Sequence, residues 1–219
     1  MKKIAIYGGG GFAREVAWLV QSCNRDSTES YQVCCFVDDD ASKHGTILNE
    51  IPVLGINTAF SRFPDALMVS GVGSPRAREA TISRAAKNGF SFATIIHPNV
   101  EYSEQWNEFG EGTVICAGNI LTVNITVGRH VQINIDCTIG HDAILDDYTT
   151  LAPGVHVSGW VHFGKRVYVG TGANIINGTE ENPLVIADDV VIGAGACVTK
   201  SVTEAGVTVV GVPAKVLNR

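Results

Sequence analysis

The sequence lacks the features that would place it in a membrane, on nucleic acid or around a structural metal ion. No apolar run approaches the ~20 residues of a membrane span, and no cluster of lysine and arginine offsets the net charge of −6. The six cysteines show no CxxC spacing, so we expect reduced cytoplasmic thiols and no metal site. The opening MKKIAIYGGGG turns glycine-rich too early to be the apolar core of a signal peptide. We therefore expect a cytoplasmic protein with neither a nucleic-acid nor a membrane partner.

The composition is that of a globular protein, with 45% apolar and 17% charged residues. Over residues 1–97, segments with the pattern of buried strands alternate with segments that carry a helical apolar face. The strand-like segments are 2–7, 31–40, 66–73 and 90–96, and the helical segments are 12–23 and 75–89. This order predicts an α/β domain with a parallel, Rossmann-like sheet and helices on its faces.

From about residue 100 the helical period gives way to a six-residue repeat. Every sixth position from Phe109 to Ile175 is apolar, and most are preceded two residues earlier by another apolar or small residue. After Ile175 the phase slips by five residues across the polar segment 178–182, resumes at Ile186 and is still in step at Val210. We call each of these every-sixth apolar residues a key position. Glycine directly follows the key position at several points: Gly110, Gly128, Gly140, Gly164 and Gly170.

A six-residue period predicts a short flat strand followed by a corner. If the key position is called i, alternation points positions i−2 and i inward, and the corner falls at i+1, where glycine tolerates unusual backbone angles. Three such faces close one triangular coil, and successive coils stack at about 4.8 Å. The period does not give the hand of the coil, for which the general crossover rule predicts right-handed winding.

The repeat, the segment ADDVVIGAGACVTKSV and the closing GVPAKVL resemble the hexapeptide-repeat acyltransferases, which form left-handed parallel β-helices. Together with the leading IAIYGGGGFAREV, the whole chain resembles the PglD/NeuD-type sugar O- or N-acyltransferases. In that family a small Rossmann-like domain precedes the β-helix. The resemblance implies a nucleotide-sugar-binding domain over residues 1–97 and an acyltransferase domain over residues 98–219.

The stretch DCTIGHDAILDD (136–147) contains the candidate catalytic residues. His141 follows Ile139 and the corner glycine Gly140, so its side chain should leave the coil. An imidazole titrates near neutral pH and can remove a proton, and the adjacent Asp142 could fix its tautomer. A solvated surface histidine is the alternative. The resemblance favours catalysis, because family members carry a histidine followed by Glu or Asp here, whereas His156 and His162 are expected at the surface or an interface.

The first domain offers a candidate nucleotide site. The glycines of YGGGGFARE follow a strand and open a helix, so backbone N–H groups can approach a phosphate or ribose, although such glycines also serve tight strand–helix packing. The acids after the second strand could bind ribose or base, or be solvated turn residues. The resemblance implies that a nucleotide-sugar, often UDP-linked, binds here, although relatives often have histidine at position 12. The implied substrate-binding residues are Gly10, Gly11, Phe12, Asp38, Asp39 and Gly73.

For the acyl donor, the resemblance implies acetyl-CoA in a groove between the β-helices of adjacent subunits of a homotrimer. Backbone N–H groups near Gly159 are candidates for stabilising the tetrahedral oxyanion. Some relatives have a second histidine where this chain has Thr150. The implied acetyl-CoA-binding residues are Thr150, Gly159, Thr171, Ala194 and Lys215.

These observations predict an acetyl-CoA-dependent N-acetyltransferase that acts on the amino group of a nucleotide-activated amino sugar in glycan assembly. An O-acetyltransferase of a sugar or sialic acid is the nearest alternative. Two alternatives come from other classes: an NAD-dependent oxidoreductase, which the repeat disfavours because it supplies no second Rossmann half, and a non-catalytic trimeric sugar-nucleotide-binding protein. The sugar and its nucleotide stay open at this level.

Overall fold

The computed structural model describes residues 1–25 and 30–217 and divides the chain into two compact units, Met1–Pro98 and Asn99–Arg219. The C-terminal limit of the predicted second domain, Arg219, lies outside the described residues. The whole is a small mixed-sheet unit followed by a left-handed parallel β-helix, as the resemblance implies. Within the described ranges, no helix combines the length and the apolar character that crossing a membrane requires.

Over residues 1–25 and 30–98, the first unit contains a five-stranded sheet and three α-helices. Its elements are β1 (Lys2–Tyr7), α1 (Gly11–Ser22), β2 (Tyr31–Val37), a 3-10 turn (Ala41–Lys43), β3 (Ile47–Leu48), β4 (Ile51–Leu54), α2 (Ile56–Arg62), β5 (Leu67–Ser70), α3 (Pro75–Lys87) and β6 (Ile95–Ile96). The sheet order is β3-β4-β2-β1-β5, parallel except for the β3–β4 hairpin. Tyr7 at the end of β1 and Val37 at the end of β2 share its hydrophobic core with Ala85 of α3, so the carboxyl ends of both strands lie beside that helix.

One sequence expectation for this unit was wrong in detail, and two features of it were missed. The strand expected over 90–96 is one bridge between Met68 and Phe92 followed by the two-residue β6. The hairpin β3–β4 and helix α2 were not predicted. The turn of that hairpin places both Asn49 (φ 46°) and Glu50 (φ 66°) in the left-handed region, a conformation usually signalled by glycine at the second position.

The second unit is a coil of three parallel walls. The first wall contains Glu101–Tyr102, Ile120–Leu121, Thr138–Ile139, His156–Val157, Asn174–Ile175 and Cys197–Val198. The second contains Glu108–Phe109, Thr126–Val127, Ile144–Leu145, Val161–Phe163 and Leu184–Ile186. The third contains Val114–Ile115, Gln132–Ile133, Thr150–Leu151, Tyr168–Val169, Val191–Ile192 and Thr208–Val210, with Lys215–Val216 antiparallel to the last of these.

The predicted six-residue repeat sets which side chains enter the coil. Each key position from Ile115 to Ile175 is no more than 4% exposed, as are Ile186, Ile192 and Val198 after the insertion. One coil spans 18 residues, the separation of paired Leu121 and Ile139 (139 − 121). The predicted Val210 is wrong by one residue, because Val209 pairs with Ile192 and is buried. The left-handed winding overturns the crossover rule, because strands this short carry little of the twist from which that rule arises.

The corner glycines have a different role from the one the sequence suggested. The left-handed backbone angles occur at i+3, in Gly, Asn, Asp, His, Tyr, Trp and Arg alike, as at Asn124 (φ 56°) and Trp160 (φ 57°). The glycines at i+1 have no such angles. Instead, a Cβ on Gly110 would lie 2.5 Å from the carbonyl of Gly128 in the next coil. At Gly110 glycine is required because the next coil approaches too closely for a side chain, whereas other i+1 positions, such as Thr122, accept one.

This distinction predicts unequal effects of two alanine substitutions. We expect Gly110→Ala to lower the free energy of unfolding by about 3 kcal/mol, because its Cβ meets backbone that cannot move aside. Gly118→Ala should cost about 1 kcal/mol, because its Cβ meets only ordinary contacts at 3.6 Å and the penalty comes from the left-handed φ of 76°. Urea denaturation measures both. Equal losses would contradict the packing role of Gly110.

Candidate active site

His141 lies at the corner that follows the first wall, where Gly140 donates its N–H to Val157 O. The side chain leaves the coil, as predicted, and is 56% exposed. Its Nδ1 lies 2.8 Å from Oδ2 of Asp142, whose side chain is 23% exposed. Asp142 has φ 57° and donates its N–H to Val123 O of the previous coil. The left-handed turn therefore brings the carboxylate of Asp142 beside the ring of its sequence neighbour.

This pair fixes the tautomer of the neutral imidazole. A carboxylate oxygen only accepts hydrogen bonds, so Nδ1 of His141 carries the hydrogen in the contact with Asp142. In the neutral ring the lone pair then lies on Nε2, and the aspartate stabilises the imidazolium that forms when Nε2 takes a proton. The geometry is that of a general base with its orienting carboxylate.

Two further side chains surround this pair. Asn124, one coil earlier, donates from Nδ2 to Oδ1 of Asp142 at 3.1 Å. Trp160, one coil later, presents its ring edge-on to His141, with 6.4 Å between ring centroids and 84° between planes. Neither residue was predicted. The available signal was the 18-residue period, which stacks positions 124, 142 and 160 along one edge of the coil.

Gly159 lies directly against the imidazole. A Cβ built on it would lie 2.6 Å from both Cε1 and Nε2 of His141, so only glycine leaves the ring in this position. The N–H of Gly159 has no hydrogen-bond acceptor within residues 1–25 and 30–217, while its carbonyl accepts from the N–H of Gly178. The polar insertion 178–182 thus begins beside the site. A free backbone N–H near a base is the kind of donor that stabilises an oxyanion.

The other residues expected to bind acetyl-CoA lie apart from His141. Thr171 and Ala194 are exposed at corners after the third wall, in successive coils joined by the hydrogen bond from Gly195 N to Thr171 O (2.9 Å). Thr150 is only 2% exposed, so its side chain offers nothing to a ligand in this chain. Lys215 is exposed on the last strand and lines a cleft of about 380 Å³ that Lys200 also lines.

A cleft of about 300 Å³ lies at the carboxyl ends of β1 and β2 in the first unit. Of the residues expected to bind the nucleotide-sugar, Gly10, Asp38 and Asp39 line it, whereas Gly11, Phe12 and Gly73 do not. The other lining residues are Tyr7, Gly8, Gly9, Val37, Gly71, Val72 and Thr81. The missed Gly71 is required for packing, because a Cβ there would lie 2.5 Å from Cα of Ala13 in α1.

The two acids of this cleft are already engaged. Asp39 accepts from the Tyr7 hydroxyl at 2.7 Å and pairs with Arg84 Nη2 at 2.5 Å. Burial raises the pKa of the Tyr7 phenol, so this hydroxyl stays a donor at neutral pH. Asp38 pairs with Lys43 at 3.0 Å and accepts from the N–H of Asp40. Each acid of the cleft is therefore paired with a cation outside its lining, Lys43 or Arg84, neither of which was predicted.

The remaining chemistry-bearing groups form no metal centre. In the part of the chain that the structure describes, no three His, Cys, Asp or Glu side chains come close enough to hold a metal ion. All six cysteines are free, and Cys23, Cys35, Cys116 and Cys137 are buried. The predicted surface histidine His156 is exposed and bonded to Thr138 Oγ1 at 2.8 Å.

Comparison with known proteins gives consistent matches over the whole chain. The family model described as the PglD N-terminal domain matches residues 3–85. GDP-perosamine N-acetyltransferase from Escherichia coli O157:H7 is 32% identical, over 100% of this chain and 98% of the relative. WeeI from Acinetobacter baumannii AYE superposes with a TM-score of 0.88 and 38% identity, covering 99% of this chain and 100% of WeeI.

A third match carries ligands and a substitution. The H141N mutant of perosamine N-acetyltransferase from Caulobacter crescentus, in complex with CoA and GDP-perosamine, superposes with a TM-score of 0.87 and 27% identity. The alignment covers 100% of this chain and 98% of that one.

Proposed function

The chain belongs to the PglD/NeuD-type sugar acyltransferases of the hexapeptide-repeat superfamily, and we propose that it transfers the acetyl group of acetyl-CoA to a GDP-linked amino sugar. It is an acetyl-CoA-dependent acetyltransferase for the amino group of a nucleotide-activated amino sugar. The proposal adds that the nucleotide of this substrate is GDP. Support for it comes from two full-length relatives, one named for GDP-perosamine and one solved in complex with it.

The observation that carries the proposed chemistry is the His141–Asp142 contact at Nδ1, which makes Nε2, beside Gly159, the lone-pair nitrogen of the neutral ring. As the sugar nitrogen attacks the thioester carbonyl, Nε2 takes the proton that the nitrogen loses. A C–N bond forms, and the carbonyl oxygen becomes an oxyanion that the Gly159 N–H stabilises. Collapse breaks the C–S bond, and the imidazolium returns its proton to the departing thiolate. Asp142 holds the ring and stabilises its charged form throughout.

The nucleotide-sugar is assigned to the cleft beside β1 and β2. Its glycine-lined floor brings backbone close to a ligand, and Lys43 and Arg84 neutralise the two acids of the cleft, which would otherwise repel a diphosphate. The acetyl-CoA contacts are assigned to Gly159, Thr171, Ala194 and Lys215. A homotrimer is part of this proposal, because the family resemblance places the acetyl-CoA groove between neighbouring subunits.

A substrate panel tests the proposed function. The protein is incubated with acetyl-CoA and GDP-, UDP-, CMP- or dTDP-linked sugars, each as the amino sugar and as its hydroxyl counterpart, and released thiol is followed. We expect the GDP-linked amino sugar to exceed every other compound in kcat/KM by about 100-fold. Faster turnover of a UDP-linked amino sugar would overturn the GDP assignment. Faster turnover of a hydroxyl acceptor would overturn N-transfer.

A further inference from the structure

Asn124 is bonded to the carboxylate that orients the proposed base. Its Nδ2 lies 3.1 Å from Oδ1 of Asp142, while Oδ2 of the same carboxylate lies 2.8 Å from Nδ1 of His141. Because a carboxylate has no hydrogen to donate, the amide nitrogen is the part of Asn124 that faces it. Asn124, Asp142 and His141 therefore form a chain of two hydrogen bonds that ends at the ring whose Nε2 is the base.

The backbone conformation at Asn124 and Asp142 places these hydrogen-bonded side chains next to one another. Asn124 and Asp142 occupy equivalent corners of successive coils, with φ 56° and 57°. Asparagine and aspartate adopt this left-handed conformation more readily than most residues. The turn thus projects both short polar side chains along the same edge of the coil, one directly after the other. The equivalent corner one coil later carries Trp160, so the row of polar corner residues does not continue beyond Asp142.

Both oxygens of Asp142 are restrained in this arrangement. With Oδ2 alone bonded, the carboxylate could turn about its Cβ–Cγ bond and the imidazole could follow it. A second bond to Oδ1 removes that freedom. Asn124 is exposed, and a hydrogen bond in contact with solvent contributes little to the stability of the fold. Its main effect should fall on the orientation of the His141–Asp142 pair.

We propose that Asn124 is a positioning residue for the proton transfer, acting on His141 only through Asp142. This inference rests on the proposed function, in which His141 is the base. It assigns to Asn124 no contact with either substrate, so its loss should change kcat and leave both KM values unchanged. It also requires that Asn124 have no effect once Asp142 can no longer act as a carboxylate.

A double-mutant cycle tests the inference. Asn124→Gly keeps the left-handed turn and removes the amide, and we expect kcat to fall about tenfold, the loss typical of a hydrogen bond to a charged group. KM for acetyl-CoA and for the nucleotide-sugar should stay within about twofold. In the Asp142→Asn background, Asn124→Gly should lower kcat no further. Full additivity of the two losses, or a change confined to KM, would overturn the positioning role.

Two more variants separate loss of the Asn124 hydrogen bond from a general disturbance of the left-handed turns. Asn124→Asp keeps both size and turn preference but sets a like charge against Asp142, so kcat should fall at least as far as in Asn124→Gly. Asp136→Gly is the matched control, since Asp136 is an exposed left-handed corner residue (φ 62°) on another edge of the coil. It should leave kcat unchanged. If it lowers kcat as much as Asn124→Gly does, the effect belongs to the turns and the inference is wrong.

The outcome also separates this inference from the function on which it rests. If His141→Ala retains turnover, the assignment of the base is wrong and Asn124 loses its role with it. If His141→Ala abolishes turnover while Asn124→Gly and Asn124→Asp both keep the native kcat, the function stands and the positioning role alone is overturned.

Discussion

Replacing His141 with alanine is expected to lower kcat about a thousandfold, within the range that a positioned general base contributes. The sugar nitrogen must lose a proton as it attacks, and Nε2 of His141 is the acceptor, because the Asp142 contact places the ring hydrogen of the neutral imidazole on Nδ1. The ring beside it, that of Trp160, cannot replace it, because an indole N–H only donates. Thiol release from acetyl-CoA at saturating nucleotide-sugar measures the loss.

The control for this substitution is His156→Ala. His156 is also an exposed histidine of the first wall, but it is bonded to Thr138 and takes no part in the proposed reaction. Its removal should leave kcat within about twofold. Both variants should bind CoA and assemble as the native chain does, since an exposed side chain contributes little to the core. A His141→Ala variant that keeps a tenth or more of the native kcat would remove His141 from the role of base.

The β-helix was predictable because its signal is local and repeated. Each coil needs two inward side chains per wall, so positions such as Ile133 and Val131 recur at fixed spacing and are fully buried. One period read many times is robust against an exception such as the half-buried Phe109. The five-residue insertion was predictable for the same reason, because it shifts Ile186 to 23 residues after its partner Phe163 (186 − 163).

The roles within the corner were not predictable from the period. Both i+1 and i+3 carry glycine in several coils, but for different physical reasons: close approach of the next coil at Gly110 and backbone conformation at Gly118. A sequence pattern shows that glycine recurs and not what its missing side chain would meet. The register at Val209 failed for a related reason, since nothing in the period marks the one-residue shortening of the last coil.

The contacts of the candidate site also fall into a predictable and an unpredictable group. His141 and Asp142 were predictable because they are adjacent in sequence and the corner turns both outward. Two partners of acids, Arg84 and Asn124, were not, because their contacts join distant segments: Arg84 lies 45 residues from Asp39, and Asn124 lies 18 from Asp142. Only the fold brings such pairs together. Of these, the Asn124 contact alone could be anticipated, since 18 residues is one full coil.

Gly159→Ala is the second substitution with a large expected effect, about a hundredfold on kcat. The new Cβ would lie 2.6 Å from Cε1 and Nε2 of His141 and 3.0 Å from Nδ1, inside van der Waals contact with most of the ring. The imidazole is half-exposed and can swing away, so the clash is relieved by moving the base rather than by breaking the coil. Displacement of a reacting group by about 1 Å is enough for a loss of this size.

The prediction is specific to the ring and can be checked in its absence. In the His141→Ala background no imidazole stands in the way of the new methyl group, so Gly159→Ala should cause no further fall in kcat. The backbone N–H at 159 survives the substitution, which separates the loss of the base from loss of the oxyanion donor. CoA affinity and the midpoint of thermal unfolding should stay close to those of the native chain. A Gly159→Ala variant with native kcat would mean that the base works from a position other than the one held between Asp142 and Gly159. A fall that persists undiminished without His141 would instead attribute the effect to the backbone at Gly159.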